Sequence, residues 1–155
     1  MKYNRYPKRG AVKNYFPLPN EIFSLGLSGG EILVYTYLMY REDRETFQCH
    51  PSYKTIGEAV GMSNNTVKKY VDGLVEKRLI TTEPTSVVTK KGEKRNGNLL
   101  YTIRPIQEAV DYFNAQQLRK ADQEMARLNV IRKLEEYDRK HGIIDGKRSS
   151  LFEAG

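Results

Sequence analysis

Two short stretches of helical periodicity meet at a glycine, and that joint constrains the fold more than any other feature of these 155 residues. Before it, Ile56 and Val60 lie four apart in a segment, 53–60, that Gly61 can end by taking the left-handed conformation. After it, Ser63 or Asn64 can cap a second helix whose apolar residues Val67, Tyr70, Val71, Leu74 and Val75 share one face. Gly57 is small where two helices joined so tightly must cross, and Met62 adds to the inward side. The second helix is expected to end near Arg78 and to leave Asn64, Asn65, Thr66, Lys68, Lys69 and Asp72 exposed.

The flanks fit a compact unit around this joint. Tyr15-Phe16-Pro17-Leu18-Pro19 predicts an extended lead-in, since each proline disfavours helix in the residue before it. Ser28-Gly29-Gly30-Glu31 is a capping-box pattern opening a helix over 29–41 that is apolar nearly all round. The charged stretch 41–45 ends it, and 46–51 reads as a loop closed by Pro51. Beyond the second helix, 79–83 and 99–104 read as strands. Between them Val87-Val88-Thr89 can extend the hairpin toward a basic tip, with Asn96-Gly97 as the turn signal. From Pro105 the pattern is helical again, with Ile106, Val110 and Phe113, then Leu118, Ala121, Met125, Leu128, Ile131 and Leu134. Its phase slips near Gln116-Gln117, which leaves one long curved helix or a helix pair open.

Charge is distributed unevenly. The net +7 divides into a basic arm over 1–14 (Lys2, Arg5, Lys8, Arg9 and Lys13, with no acid), a smaller excess over 15–104, and a balanced 105–155. Such asymmetry points to a polyanion, and nucleic acid suits it better than a membrane because the arm has no apolar face. No apolar run nears the roughly 18 residues of a membrane helix, the longest being 32–40. The N-terminus has no apolar core of a secretory signal, and a single cysteine cannot form an internal disulfide, so a cytoplasmic location is expected.

Helix, helix, glycine turn, helix and hairpin is the order of a winged helix-turn-helix. The predicted fold is therefore mainly α with a small β wing, followed by a long C-terminal helix or helix pair. Its expected divisions are a flexible arm over 1–14, a winged domain over 15–104, a helical packing or dimerisation segment over 105–141 and a weakly ordered tail over 142–155. In this motif the N-terminal part of the second helix enters the DNA major groove. Asn64 and Asn65 can pair with adenine, the Thr66 methyl can touch thymine, and Lys68 and Lys69 can meet guanine or phosphate. Ser63, beside open backbone N–H groups, suits a phosphate oxygen, and Lys54 would meet the flanking backbone. Lys90, Lys91, Lys94 and Arg95 would carry the wing along the backbone or into the minor groove, and Arg5, Lys8 and Arg9 would do the same for the arm.

Two resemblances follow. The winged unit resembles bacterial gluconate-repressor-type regulators, which implies DNA-contacting roles for Ser63, Asn64, Asn65, Thr66 and Lys68 and a backbone-binding role for Lys54. Over roughly 15–104 the chain is similar to the N-terminal helix-turn-helix domains of plasmid replication initiator A-like proteins of Gram-positive mobile elements. That similarity rests on Phe16-Pro17-Leu18-Pro19, Phe23, Leu27-Ser28, Val34-Tyr35-Thr36-Tyr37-Leu38, Thr66-Val67-Lys68, Leu79-Ile80 and Gly97-Asn98-Leu99-Leu100-Tyr101. The segment after the first helix is shorter than in those initiators and lacks their tryptophan-containing insertion.

No enzymatic chemistry is legible. Gly26-Leu27-Ser28-Gly29-Gly30 lacks the Lys-Ser/Thr of a phosphate-binding loop, and His50, His141 and Cys49 form no zinc-ligand spacing. The expectation is a non-enzyme without cofactor or small-molecule ligand, whose partner is double-stranded DNA and which can form a homodimer through 105–141. Three functions fit: a sequence-specific regulator of a mobile element, a replication initiation protein, or a winged protein-interaction module.

Overall fold

The structure, a computed structural model, describes residues 15–142. A 3-10 turn at Asn20–Phe23 precedes α1 (Gly29–Arg41), β1 (Gln48–Cys49), α2 (Tyr53–Val60) and α3 (Asn64–Glu76). Strands β2 (Ile80–Glu83), β3 (Ser86–Val88), β4 (Lys94–Asn96) and β5 (Leu100–Ile103) lead to α4 (Ile106–His141). The fold is a winged helix-turn-helix, mainly α with a small β wing and a long C-terminal helix.

Local chemistry sets the helix starts. At α1, the Glu31 N–H donates to Ser28 Oγ and the Ser28 N–H donates to Glu31 Oε1, so both halves of the capping box are made. Ser52 caps α2 and Ser63 caps α3 by the serine half alone, each accepting from the N–H three residues on. Between them Gly61 sits at φ 73°, a left-handed conformation that costs a residue with a Cβ more than glycine. Gly57 is small for a different reason: a Cβ there would overlap the Met62 carbonyl oxygen. That close approach lets the Met62 N–H donate to the Gly57 carbonyl and folds the turn against α2.

The inner faces meet as their spacing requires. Ile56 of α2, Val67, Val71 and Leu74 of α3, and Val34, Tyr35 and Leu38 of α1 are buried together with Tyr101 of β5. Each fully buried aliphatic contributes about 1.5–3 kcal/mol, and this shared core fixes which side of α3 faces outward. α3 ends at Glu76, two residues before the position expected, and Arg78 follows in the left-handed region at φ 67°.

Two expectations about the strands are corrected. The segment 46–51 is not all loop, because Gln48 and Cys49 pair with Thr102 and Tyr101 as β1. The three-stranded sheet therefore has the antiparallel order β1-β5-β2. Its wing carries a separate two-stranded ribbon, β3 with β4, in which Val88 faces Lys94 and Val87 faces Arg95. The ribbon turns at Thr89–Gly92 and not at Asn96-Gly97: the Gly92 N–H donates to the Thr89 carbonyl, with Gly92 at φ 80°. Asn96-Gly97 instead closes the ribbon's base, where the Gly97 N–H donates to the Thr85 carbonyl.

The chain divides into two compact units, Met1–Phe113 and Asn114–Gly155. In the first, Ala109 is buried and Ile106, Val110 and Phe113 pack partly against the core. The described part of the second is helical to His141, and the single continuous α4 resolves the choice between one helix and two. There, of the apolar residues expected to be buried, Leu118, Ala121, Met125 and Leu128 are exposed in the single chain and Ile131 and Leu134 are half-buried.

Candidate nucleic-acid interface

With Val67, Val71 and Leu74 fixed inward, α3 presents Asn64, Asn65, Lys68, Lys69, Asp72 and Glu76 to the outside. Thr66 is half-buried. The exposed residues singled out on this helix run along it from Asn64 to Asp72.

Their hydrogen bonds separate them. Ser63 Oγ accepts from the Thr66 N–H at 3.3 Å and lies 2.9 Å from Thr66 Oγ1, so these two hydroxyls engage each other at the cap. Asn64 and Asn65 keep exposed amides able to donate and accept at once, the pattern that pairs with an adenine edge. The lysines differ from one another. Lys69 Nζ lies 5.7 Å from the centroid of the Tyr70 ring, a cation–π contact that steadies its stem. Lys68 Nζ lies 2.8 Å from Asp72 Oδ2, one helical turn on, and this hydrogen bond raises the Lys68 pKa.

Lys54 is exposed in the first turn of α2, beside the cap made by Ser52 and Thr55. In the wing Lys90, Lys91, Lys94 and Arg95 are all exposed, but they do not form one cluster. Lys94 and Arg95 are successive strand residues and project to opposite faces of the ribbon. Arg95 also bonds to Glu93 at 3.4 Å. Arg5, Lys8 and Arg9 of the arm lie outside the described residues.

The sequence reading missed the links that hold this surface in place. Lys77, just past α3, reaches Glu31 at 2.8 Å and the Gly26 carbonyl at 3.3 Å, tying the end of α3 to the start of α1. Arg78 lies 5.5 Å from the Tyr112 ring in α4. Neither pairing has a local spacing signal, because the partners are 46 and 34 positions apart. The Lys68–Asp72 pair was within reach, as its i,i+4 spacing is a helix signature.

Among the described residues no group of three or more His, Cys, Asp or Glu could hold a metal ion, and no helix is long and apolar enough to cross a membrane. Cys49 is buried, and burial first and Glu42 second push its thiol up to about 11. That places it far from the exposed, electropositive setting of a reactive thiolate.

No curated protein matches the chain. Among solved structures it is similar to a possible transcriptional regulator from Methanosarcina mazei Go1, at 16% identity over 69% of this chain and 81% of that one, with a TM-score of 0.48. It is also similar to Staphylococcus aureus MarR in complex with salicylate and kanamycin, at 19% identity over 77% and 78% of the two chains and a TM-score of 0.37. A third is the S. aureus MepR–DNA complex, at 16% identity over 76% and 86%, with a TM-score of 0.35. Residues 25–80, from the lead into α1 through α2 and α3 to the start of β2, match the family model of a helix-turn-helix domain.

Proposed function

We propose that the chain is a sequence-specific double-stranded DNA-binding protein acting as a transcriptional regulator of a mobile genetic element. The observation that carries this reading is the outward face of α3. It is the second helix of a helix-turn-helix, its rotation is fixed by a buried inner face, and its N-terminal half presents Asn64, Asn65, Lys68 and Lys69. In this motif those positions meet base edges. Asn64 and Asn65 read adenine, the Thr66 methyl meets thymine, and Lys69 supplies charge to guanine or phosphate. Lys54 and the Ser63 end of α3 touch the flanking backbone, while Lys90, Lys91 and one of Lys94 or Arg95 follow it from the wing. Arg5, Lys8 and Arg9 add a basic arm. No step of this requires a cofactor or an enzymatic centre, and the protein works in the cytoplasm.

A second copy completes the reader. Leu118, Met125 and Leu128 fall at spacings of seven and three on one side of α4 and are 50–66% exposed. Pairing through them would join two winged units onto a symmetric site. The similarity to plasmid initiators carried by Phe16-Pro17-Leu18-Pro19 and the wing supports replication initiation as the alternative. Repeated sites at an origin, in place of sites at a promoter, separate the two.

The test is a gel-shift titration against DNA upstream of the protein's own gene and against its element's origin. Binding at one of them, weakening linearly in log–log fashion as salt rises, is expected because phosphate neutralisation releases counterions. Absence of a shift at both contradicts the proposal.

A further inference from the structure

The outward face of α3 changes sign along its length. Asn65, Lys68 and Lys69 occupy the first half and Asp72 and Glu76 the second, at spacings that keep them on one side. Across this change Lys68 Nζ and Asp72 Oδ2 are 2.8 Å apart, with both side chains about 60% exposed. Tyr53, half-buried at the start of α2, feels the same two charges: after burial, Asp72 raises its pKa and Lys68 lowers it.

An exposed i,i+4 pair adds little to stability, so the fold does not need this one. Its consequence falls on binding. A phosphate approaching Lys68 competes with a carboxylate already bonded to the ammonium, and that carboxylate repels the phosphate. The cost falls most heavily on sequence-independent attachment, which rests on phosphate contacts alone. On the correct site base contacts through Asn64 and Asn65 supply part of the affinity, so that complex draws less on Lys68. Discrimination is a difference between two affinities, and weakening the unwanted one widens it.

We propose that Asp72 is a specificity-determining residue of this surface, which by holding Lys68 suppresses sequence-independent attachment to duplex DNA. The inference rests on the DNA-binding reading above and adds a role for a residue with no attractive contact to DNA.

The test compares the full-length wild type with Asp72→Asn, Lys68→Met and the double variant by fluorescence anisotropy. Two labelled duplexes serve as probes, one of random sequence and one recovered by the wild type from a randomised library. Asp72 is exposed, and matching thermal melts show that the variants are folded. Asp72→Asn is expected to bind the random duplex about three- to ten-fold more tightly at low salt, with a log–log salt slope steeper by about one phosphate contact. The recovered duplex gains less, so the ratio between the two falls. In the Lys68→Met background the same Asp72 change produces a clearly smaller gain, the part left by direct repulsion. Unchanged or weaker binding of the random duplex by Asp72→Asn overturns the inference, as does an equal gain without Lys68. A wild type that binds neither duplex at any salt sinks the DNA-binding reading and this inference with it. A wild type that binds, beside an indifferent Asp72→Asn, sinks this inference alone.

Discussion

Lys77 Nζ sits 2.8 Å from Glu31 Oε1, and through that pair the end of α3 is anchored to the capping box of α1. Glu31 is buried and Lys77 is a third exposed. Burial raises the Glu31 pKa, but hydrogen bonds from Lys77 and Ser28 outweigh it and hold the carboxyl below its ordinary 4.5. A carboxyl with a lower pKa folded than unfolded contributes stability above the unfolded value, and that contribution is lost as pH falls through the folded one. Urea melts of the wild type are therefore expected to lose stability as pH falls below 4.5, and Glu31→Gln to show a flatter acid limb. Lys77→Met leaves the carboxylate buried without its cation. It is expected to cost about 1–3 kcal/mol at neutral pH and less in acid, where Glu31 is protonated. A Lys77→Met penalty that is equal at both pH values contradicts this anchor.

The turn between α2 and α3 tolerates side chains poorly at two glycines, for different reasons. Gly57→Ala drives a Cβ into the Met62 carbonyl, which belongs to backbone and cannot swing away. A loss of about 1–3 kcal/mol is expected from overpacking of this kind. Gly61→Ala meets open space but is held at φ 73°, and about 1 kcal/mol is expected. Chemical denaturation that ranks Gly61→Ala as the worse of the two would show that the close approach at Gly57 does not govern the turn.

Cys49 is the chain's single thiol, and it donates to the Leu38 carbonyl at 3.7 Å from within the core. With its pKa pushed up to about 11, it holds almost no thiolate near neutrality. Alkylation by iodoacetamide, followed by mass spectrometry, is expected to be slow for the native protein and fast once urea unfolds it. Rapid native labelling would mean that β1 opens readily.

The exposed apolar residues of α4 bear on assembly. Replacing Leu118, Met125 and Leu128 together by Gln removes apolar area without touching the first unit's core. Sedimentation is expected to show a wild-type dimer and a monomeric triple variant with an unchanged first-unit melting transition. A wild type that sediments as a monomer at high concentration contradicts pairing through this helix.

What could be read from the chain depended on how local each signal was. α1, α2 and α3 announced themselves because caps and apolar periodicity lie within one or two turns: Ser28 with Glu31, Ser52 with Thr55, Ser63 with Thr66. The outward residues of α3 were legible for the same reason, since a known inner face defines the outer one. β1 was not, because two residues become a strand only through partners more than fifty positions away. The ribbon was misread because all six residues of β3 and β4 are exposed, so no alternation marks them. Asn96-Gly97 then offered a turn signal stronger than the Gly92 turn in use. Glu31–Lys77 had no local trace at all.

The central claim is that Asn64, Asn65 and the lysines beside them read duplex DNA from the N-terminal half of α3. Selection from a randomised duplex library, run in parallel with wild type, Asn65→Ala and Lys69→Ala, tests it most directly. The wild type is predicted to recover a defined sequence, Asn65→Ala to relax one base position at a cost of about 1–3 kcal/mol, and Lys69→Ala to weaken binding more evenly across sequences. No enrichment by the wild type, or the same sequence recovered at full preference by Asn65→Ala, would contradict the account.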